Sequence, residues 1–293
     1  MAHPGIATVR ELIGESSKPE STLEERRAWL ESLGEIMPPP RGVIIEDATL
    51  GGRPASLTTP GQTGPGTILY LHGGAYVSGS LISHRGLVGR LALAAKRTVH
   101  ALDYRLGPED PFPAGLDDAV AAFRELDASG AGPIAIAGDS AGGGLALAAL
   151  LALRDEGGTQ PAAGVCFSPW ADLTQSGATF DTRADADPLL GRETLGEAAA
   201  MYLGDGDPTD PLASPMLGDL SGLPPVMIEV GDGEVLLDDA RVVAQRIEAA
   251  GGEVDLEVWP EMLHVFQAFP PDLIPEADQS LLRAGRFLES HLT

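Results

Sequence analysis

Ile134-Ala135-Ile136-Ala137-Gly138-Asp139-Ser140-Ala141-Gly142-Gly143 decides how this chain is read. A short apolar run ends in Gly-Asp-Ser-Ala-Gly, and an Ala/Leu-rich helical segment, Ala141 to Arg154, begins at once. This is the sequence form of a nucleophile elbow, a serine held on a strained strand-to-helix turn. Side chains at 138 or 142 would collide with the neighbouring strand or helix, and glycine tolerates unusual backbone angles. Ser140 is then presented at the carboxyl end of a strand, with the positive end of the new helix aimed at the reacting centre. The bare pattern also arises in Gly/Ser-rich loops. Its weight comes from the flanking strand and helix and from the rest of the chain.

Around this run, apolar segments alternate with helical ones. Strands are expected at Thr67 to Leu71, Thr98 to Leu102, Ile134 to Ala137, Gly164 to Phe167, Val226 to Val230 and Val254 to Val258. Helices are expected at His84 to Ala95, Leu116 to Leu126, Ala141 to Arg154, Asp238 to Ala249 and Ala277 to Leu292. Near-continuous apolar strands alternating with helices predict an α/β fold, a parallel sheet covered on both faces. Val43-Ile44-Ile45 and Ala55-Ser56-Leu57 flank Gly51-Gly52 and read as a hairpin.

Two regions break the rhythm. The N-terminus reads as helices over Ala7 to Gly14 and Thr22 to Met37, the second capped by Ser21 and stopped by Pro38-Pro39-Pro40. Its Leu23, Trp29, Leu30, Leu33 and Ile36 recur at helical spacing. The stretch Asp172 to Leu223 carries one clear helix, Glu193 to Tyr202, among Asp/Pro/Gly turns. Insertions near a catalytic end form lids. The expected organisation is a core made of residues 43–171 and 224–293, with 1–42 and 172–223 forming one cap.

Composition narrows the function. With 43 acidic against 19 basic residues, the net charge is -24, which argues against nucleic-acid binding and against docking on anionic membranes. The one cysteine, Cys166, excludes an intramolecular disulfide and Cys/His metal clusters, and its apolar surroundings read as a buried strand. No apolar stretch is long enough to cross a membrane, and Met1 to Glu20 lacks a basic region followed by an apolar core. A cytoplasmic location is therefore expected.

An activated serine needs a base, a group to orient it, and donors where negative charge develops. His72-Gly73-Gly74-Ala75 follows an apolar strand and is close to the H-G-G-G run of lipases and esterases, so the amides of Gly73 and Gly74, with Ala141, are candidate oxyanion donors. His72 itself reads as scaffold. Further motifs follow in order: Asp103-Tyr104-Arg105-Leu106-Gly107-Pro108-Glu109, Ser168-Pro169-Trp170, Leu223-Pro224-Pro225, Gly231-Asp232-Gly233-Glu234-Val235-Leu236-Leu237-Asp238-Asp239 and Met262-Leu263-His264-Val265-Phe266.

With these motifs the chain resembles a bacterial member of the hormone-sensitive-lipase family of esterases, within the α/β-hydrolase superfamily, from about Pro54 to Phe269. The resemblance implies an α/β-hydrolase fold: a mostly parallel central sheet flanked by helices under a helical cap. It implies a carboxylic ester hydrolase working through an acyl-enzyme, with no metal or organic cofactor. Ala75 stands where a third glycine is usual, and Gly107 where alanine is usual. The base is His264, in the short loop after Leu256-Glu257-Val258. The family pattern selects Glu234 as the acid; Asp232 is its main rival and Asp238 a weaker one. Asp238 and Asp239 read as the start of a helix.

Asp103, Arg105 and Glu109 read as scaffold, with an Arg105–Glu109 ion pair, and the Asp139 side chain is expected to point away from the pocket. Tyr76, Trp170, Leu189, Tyr202, Val265 and Phe266 are candidates for an apolar pocket, and equally for core. Short-to-medium acyl esters are the expected substrates, with lactones as the alternative on the same site. A non-catalytic ligand-binding member would have lost the base, and His264 is present. The resemblance also implies a possible homodimer. The acidic field predicts that, at low salt, an anionic ester is turned over more slowly than its neutral analogue. Equal kcat/KM for the pair would contradict this.

Overall fold

The computed structural model of the chain describes residues 4–16 and 21–293. Its strands are β1 (Val43–Leu50), β2 (Arg53–Pro60), β3 (Thr67–Leu71), β4 (Thr98–Leu102), β5 (Ile134–Asp139), β6 (Ala163–Phe167), β7 (Val226–Gly231) and β8 (Val254–Trp259). The helices are α1 (Pro4–Ser16), α2 (Leu23–Ile36), α3 (Leu81–Ala95), α4 (Ala114–Ala128), α5 (Ala141–Glu156), α6 (Thr179–Thr182), α7 (Arg192–Leu203), α8 (Leu237–Ala249) and α9 (Glu276–His291). The strands form one sheet in the order β1-β2-β4-β3-β5-β6-β7-β8. Only β2 runs antiparallel to its neighbours β1 and β4; every pair from β4 to β8 is parallel.

Side chains alternate across the sheet with period two and feed two cores. Leu69, Leu71, Ile134, Ile136, Cys166, Val226 and Ile228 face α4, α5 and α8, through residues such as Phe123, Leu150 and Val243. Ile68, Tyr70, Ala135, Ala137, Val165 and Met227 face α3 and α9, through Leu87, Leu91, Leu281 and Leu288. Burial on both faces is why the strands read as continuous apolar runs rather than alternating ones. At the β1–β2 turn, Gly51 and Gly52 both have positive φ (58° and 76°), matching the primed turn that the strand twist favours.

The helix termini differ in detail from expectation. Thr22, not Ser21, caps α2: its side chain accepts from the Glu25 amide and Glu25 reaches back, a reciprocal box that stops one residue short of Ser21. The same device, Ser80 with Ser83, starts α3 three residues before His84. The apolar stripe of α2 is only half-buried, and Ile36 is 70% exposed. The close contact of α2 is through Gly34, against the backbone of Ile82 and Ser83.

The segments flanking the core touch one another. Arg26 on α2 pairs with Glu197 on α7 at 3.3 Å, and Arg10 on α1 donates to the Ala186 carbonyl at 2.8 Å. Ile6, Val9 and Ile13 of α1 pack on Met262, Leu263 and Phe266. The expected Arg105–Glu109 pair is absent. Arg105 instead forks onto Asp118 of α4 (2.8 Å), and Glu109 takes a two-pronged bond from Arg27 of α2 (2.8 and 2.7 Å). Residues 104–113 are irregular rather than helical, so a spacing of four does not bring two side chains together. Among the described residues no helix is long and apolar enough to cross a membrane.

Leu150 lies fully buried in the middle of α5, packed against Gly164 of β6. Truncation there leaves a hole that the rigid helix–sheet contact cannot close. Leu150→Ala is expected to lower unfolding stability by about 2–5 kcal/mol in chemical denaturation. A loss within about 0.5 kcal/mol, the range of a surface change, would contradict this packing.

Candidate active site

Ser140 occupies the one-residue hinge between β5 and α5, at φ 54° and ψ -122°. That is a costly conformation for a residue with a Cβ. Close packing holds it there. A Cβ on residue 142 would lie 2.0 Å from the Leu71 carbonyl oxygen, and one on residue 138 would lie 2.2 Å from the Gly142 carbonyl oxygen. Only glycine lets α5 descend this far onto β3. The Ser140 amide donates to Phe167 O (2.8 Å), and the Trp170 amide donates to Ser140 O (2.9 Å), which fastens the hinge to the end of β6.

Three expected residues come together here. Ser140 Oγ lies 2.9 Å from His264 Nε2, and His264 Nδ1 lies 2.8 Å from Glu234 Oε2. A carboxylate can only accept, so Nδ1 carries the imidazole proton and Nε2 accepts from the serine hydroxyl. All three are buried, Glu234 completely. Burial opposes charge on His264, but the hydrogen bond and charge of Glu234, with Asp187 and Asp139 further off, outweigh it and raise the imidazole above its ordinary 6.5.

The rival acids go elsewhere. Asp232 accepts from the Glu261 amide at 2.6 Å, and Asp238 accepts from the Thr179 amide at 3.1 Å. Asp239 is fully buried and takes the amides of Ala171 and Asp172. Asp238 and Asp239 do sit in the first turn of α8, yet their carboxylates catch amides of the 172–223 segment and its approach rather than capping their own helix. Asp187, from that same segment, was given no role by the sequence. It accepts from Val235, Leu189 and Leu190 amides and ties the segment to the Glu234 loop.

The glycine loop after β3 corrects one expectation. The Gly73 amide is committed: it donates to Asp139 Oδ1 at 3.1 Å, and Gly73 is buried. It is therefore removed from the set of oxyanion donors. Among the described residues the amides of Gly74, Ala75 and Ala141 have no acceptor, and Gly74 and Ala75 are partly exposed. Asp139 does point away from Ser140 Oγ, as expected, but into a buried network that shapes this loop. Its carboxylate also accepts from Tyr70 Oη (2.6 Å) and lies 3.2 Å from His84 Nε2. Burial works against that charge, while His84 and Tyr70 hold the carboxyl below its usual range. Burial, then the neighbouring His84, push His72 down to about 4, so its ring is neutral and Nδ1 donates to Gly73 O at 2.8 Å. His72 is scaffold, as expected. Ala75 and Tyr76 both have positive φ, so the alanine at the third glycine position sits in strained backbone.

The apolar candidates are mostly core. Tyr76, Trp170, Tyr202 and Phe266 expose 2%, 0%, 2% and 0% of their surface. Tyr76 stacks on Tyr202 with centroids 4.0 Å apart and tilts against Trp170 at 5.6 Å. Phe266 packs on Trp259 and α1. Trp170 and Phe266 are fully covered by their neighbours. Val265, at 8%, touches solvent slightly beside His264, and Leu189 is half-buried against the α1 cluster. Burial pushes the Cys166 thiol up to about 12, which leaves it an inert strand residue.

A serine on a glycine-locked elbow, hydrogen-bonded through histidine to a carboxylate at the strand ends of a mostly parallel sheet, is the arrangement of an α/β-type serine hydrolase. The α/β-hydrolase fold family matches residues 68–268. An acetyl-hydrolase of Streptomyces hygroscopicus is 46% identical over 297 residues, covering 99% of this chain and 98% of that protein. An esterase from the bacterial hormone-sensitive lipase family superposes with a TM-score of 0.96 at 44% identity, over 100% of both chains. EstE5, in a crystal soaked with p-nitrophenyl butyrate, gives 0.94 at 39% identity over 99% of each chain. The chain belongs to the α/β-hydrolase fold family, and within it to the bacterial hormone-sensitive-lipase esterases. It is an ester-hydrolysing enzyme.

Gly142→Ala forces a methyl group into the Leu71 carbonyl. The variant is expected to lose most soluble, folded protein, and the remainder to lose at least about 100-fold in ester hydrolysis, as for an active-site geometry shifted by about 1 Å. Wild-type circular dichroism together with wild-type kcat would contradict the close approach.

Proposed function

We propose that Ser140, His264 and Glu234 form a catalytic triad that hydrolyses short-to-medium acyl carboxylic esters through an acyl-enzyme. The observation that carries this is the unbroken relay Ser140 Oγ–His264 Nε2–His264 Nδ1–Glu234 Oε2, at 2.9 and 2.8 Å. Ser140 Oγ attacks the ester carbonyl carbon while His264 Nε2 takes its proton. The carbonyl π pair moves onto oxygen, where the amides of Gly74, Ala75 and Ala141 are the available donors. Collapse of the tetrahedral intermediate expels the alcohol, which takes the proton from His264. Water, deprotonated by the same nitrogen, then attacks the acyl-serine, and the carboxylic acid leaves as Ser140 recovers its proton. Glu234 holds the imidazole in the required tautomer and stabilises its charged form.

The preference for short acyl groups rests on the closed aromatic wall of Tyr76, Tyr202 and Trp170 beside the elbow. The acetyl-hydrolase relative and the butyrate ester soaked into EstE5 point the same way. We read α1, α2 and residues 172–223 as a cap over the site, from their mutual contacts and from Asp187, which joins the insertion to the Glu234 loop.

With p-nitrophenyl esters, kcat/KM is expected to be high from acetate to hexanoate and to fall steeply at laurate. Ser140→Ala should lower kcat by at least about 10⁴-fold, and Glu234→Gln by about 10³–10⁴-fold. Because His264 must be neutral to act as base, kcat/KM should rise with pH about a midpoint above 6.5, and Glu234→Gln should move that midpoint down. Substantial hydrolysis by Ser140→Ala, or a flat profile, would contradict the assignment. Faster turnover of lactones than of esters by the wild-type enzyme would redirect the substrate class.

A further inference from the structure

The turn after β6, Phe167 to Trp170, bonds to Ser140, to Glu234 and to Val265, the residue after His264. Phe167 O and the Trp170 amide bracket Ser140 at 2.8 and 2.9 Å. Between them Ser168, fully buried, sits at φ +48°, its own amide bound to Glu229 O of β7 at 2.7 Å. Its hydroxyl lies 2.7 Å from Glu234 Oε1 and 3.1 Å from the Val265 amide. The polarity of both bonds is fixed, because a carboxylate only accepts and an amide only donates. The single hydroxyl proton therefore goes to Glu234, and a lone pair takes Val265 N–H. Val265 is the residue after the base, a β-branched side chain also at φ +48°. That backbone is unfavourable without an outside anchor. The Gly231 amide gives Glu234 Oε1 its second donor, at 2.5 Å, so Oε1 is saturated and Oε2 is left for His264.

We propose that Ser168 is a positioning residue: its hydroxyl locks the triad carboxylate and the His264 loop into one register, so that the strained turn after β6 joins nucleophile, base and acid. The inference rests on the triad reading given under Proposed function. A group that only filled space at this place would need no hydroxyl. A group that positions the acid and base must act on turnover without touching substrate.

The test compares Ser168→Gly, Ser168→Ala, Ser168→Cys and Glu234→Gln with the wild-type enzyme on p-nitrophenyl butyrate, per active site titrated by the p-nitrophenol burst. Glycine accepts the positive φ without strain, alanine keeps the Cβ, and cysteine keeps a weak donor. For Ser168→Gly and Ser168→Ala, kcat is expected to fall about 10–100-fold, the usual effect of removing a partner that orients a functional group, with KM little changed. Losing one donor leaves more charge on Glu234 for His264, so the pH midpoint should move up, opposite to its movement in Glu234→Gln. Ser168→Cys should recover part of kcat. A lower melting temperature with wild-type kcat per titrated site and an unmoved or lowered midpoint overturns the proposal. If Glu234→Gln keeps wild-type kcat, the triad reading itself fails and takes this inference with it. If Glu234→Gln is crippled while Ser168→Gly is not, only the role of Ser168 fails.

Discussion

The site depends on one close approach, the seating of the first turn of α5 against the carbonyl end of β3. Leu71 O stands where a side chain at 142 would begin, and Gly142 O where one at 138 would begin. With those side chains absent, β5 can end, reverse into a helix within one residue and leave Ser140 in strained backbone. Such strain costs on the order of 1–3 kcal/mol and persists only where its surroundings over-determine it. Here the surroundings are the fully buried α5 core on one side and the Phe167–Trp170 turn on the other. The same approach brings the β3 glycine loop beside the elbow, so Ser140 and the Gly74, Ala75 and Ala141 amides, which meet no acceptor among the described residues, come from one packing event.

A second constraint is electrostatic. His264 lies among three carboxylates, Glu234, Asp187 and Asp139, each supplied by a different part of the chain. Each is held by directed hydrogen bonds: Glu234 by Ser168 and Gly231, Asp187 by three amides, and Asp139 by Tyr70, Gly73 and His84. Buried carboxylates persist because these donors replace water. The donors also fix which oxygen is free, and for Glu234 that decides the orientation of the imidazole.

Much of this was legible from residues alone, for physical reasons. Strands buried on both faces announce themselves as apolar runs, so β3 and β4 fall where the sequence places them. The elbow is legible because only small residues fit it. What failed was whatever depends on contacts between distant segments. The Gly73 amide looked as available as that of Gly74 until Asp139, 66 positions away, was seen to occupy it. Arg105 and Glu109 are neighbours in sequence, yet each finds its partner on a different helix, α4 and α2. Trp170 and Phe266 read equally as pocket or core, because an aromatic side chain buries the same area in either setting; their neighbours decided for core. Asp187 carried no local signal of a role, and Ser168 was legible only as part of the Ser168-Pro169-Trp170 motif, since what each does depends on whose amides and carboxylate it meets.

The central claim is that Ser140 Oγ is the atom that carries the acyl group. Its most direct test is to quench the enzyme in acid within the p-nitrophenyl acetate burst, then map the trapped protein by mass spectrometry. The account predicts one added acetyl group, on the peptide containing Ser140, in wild-type enzyme and none at that position in Ser140→Ala. An acetyl group carried by another residue at the burst stoichiometry, or a productive burst with Ser140 unmodified, would contradict it.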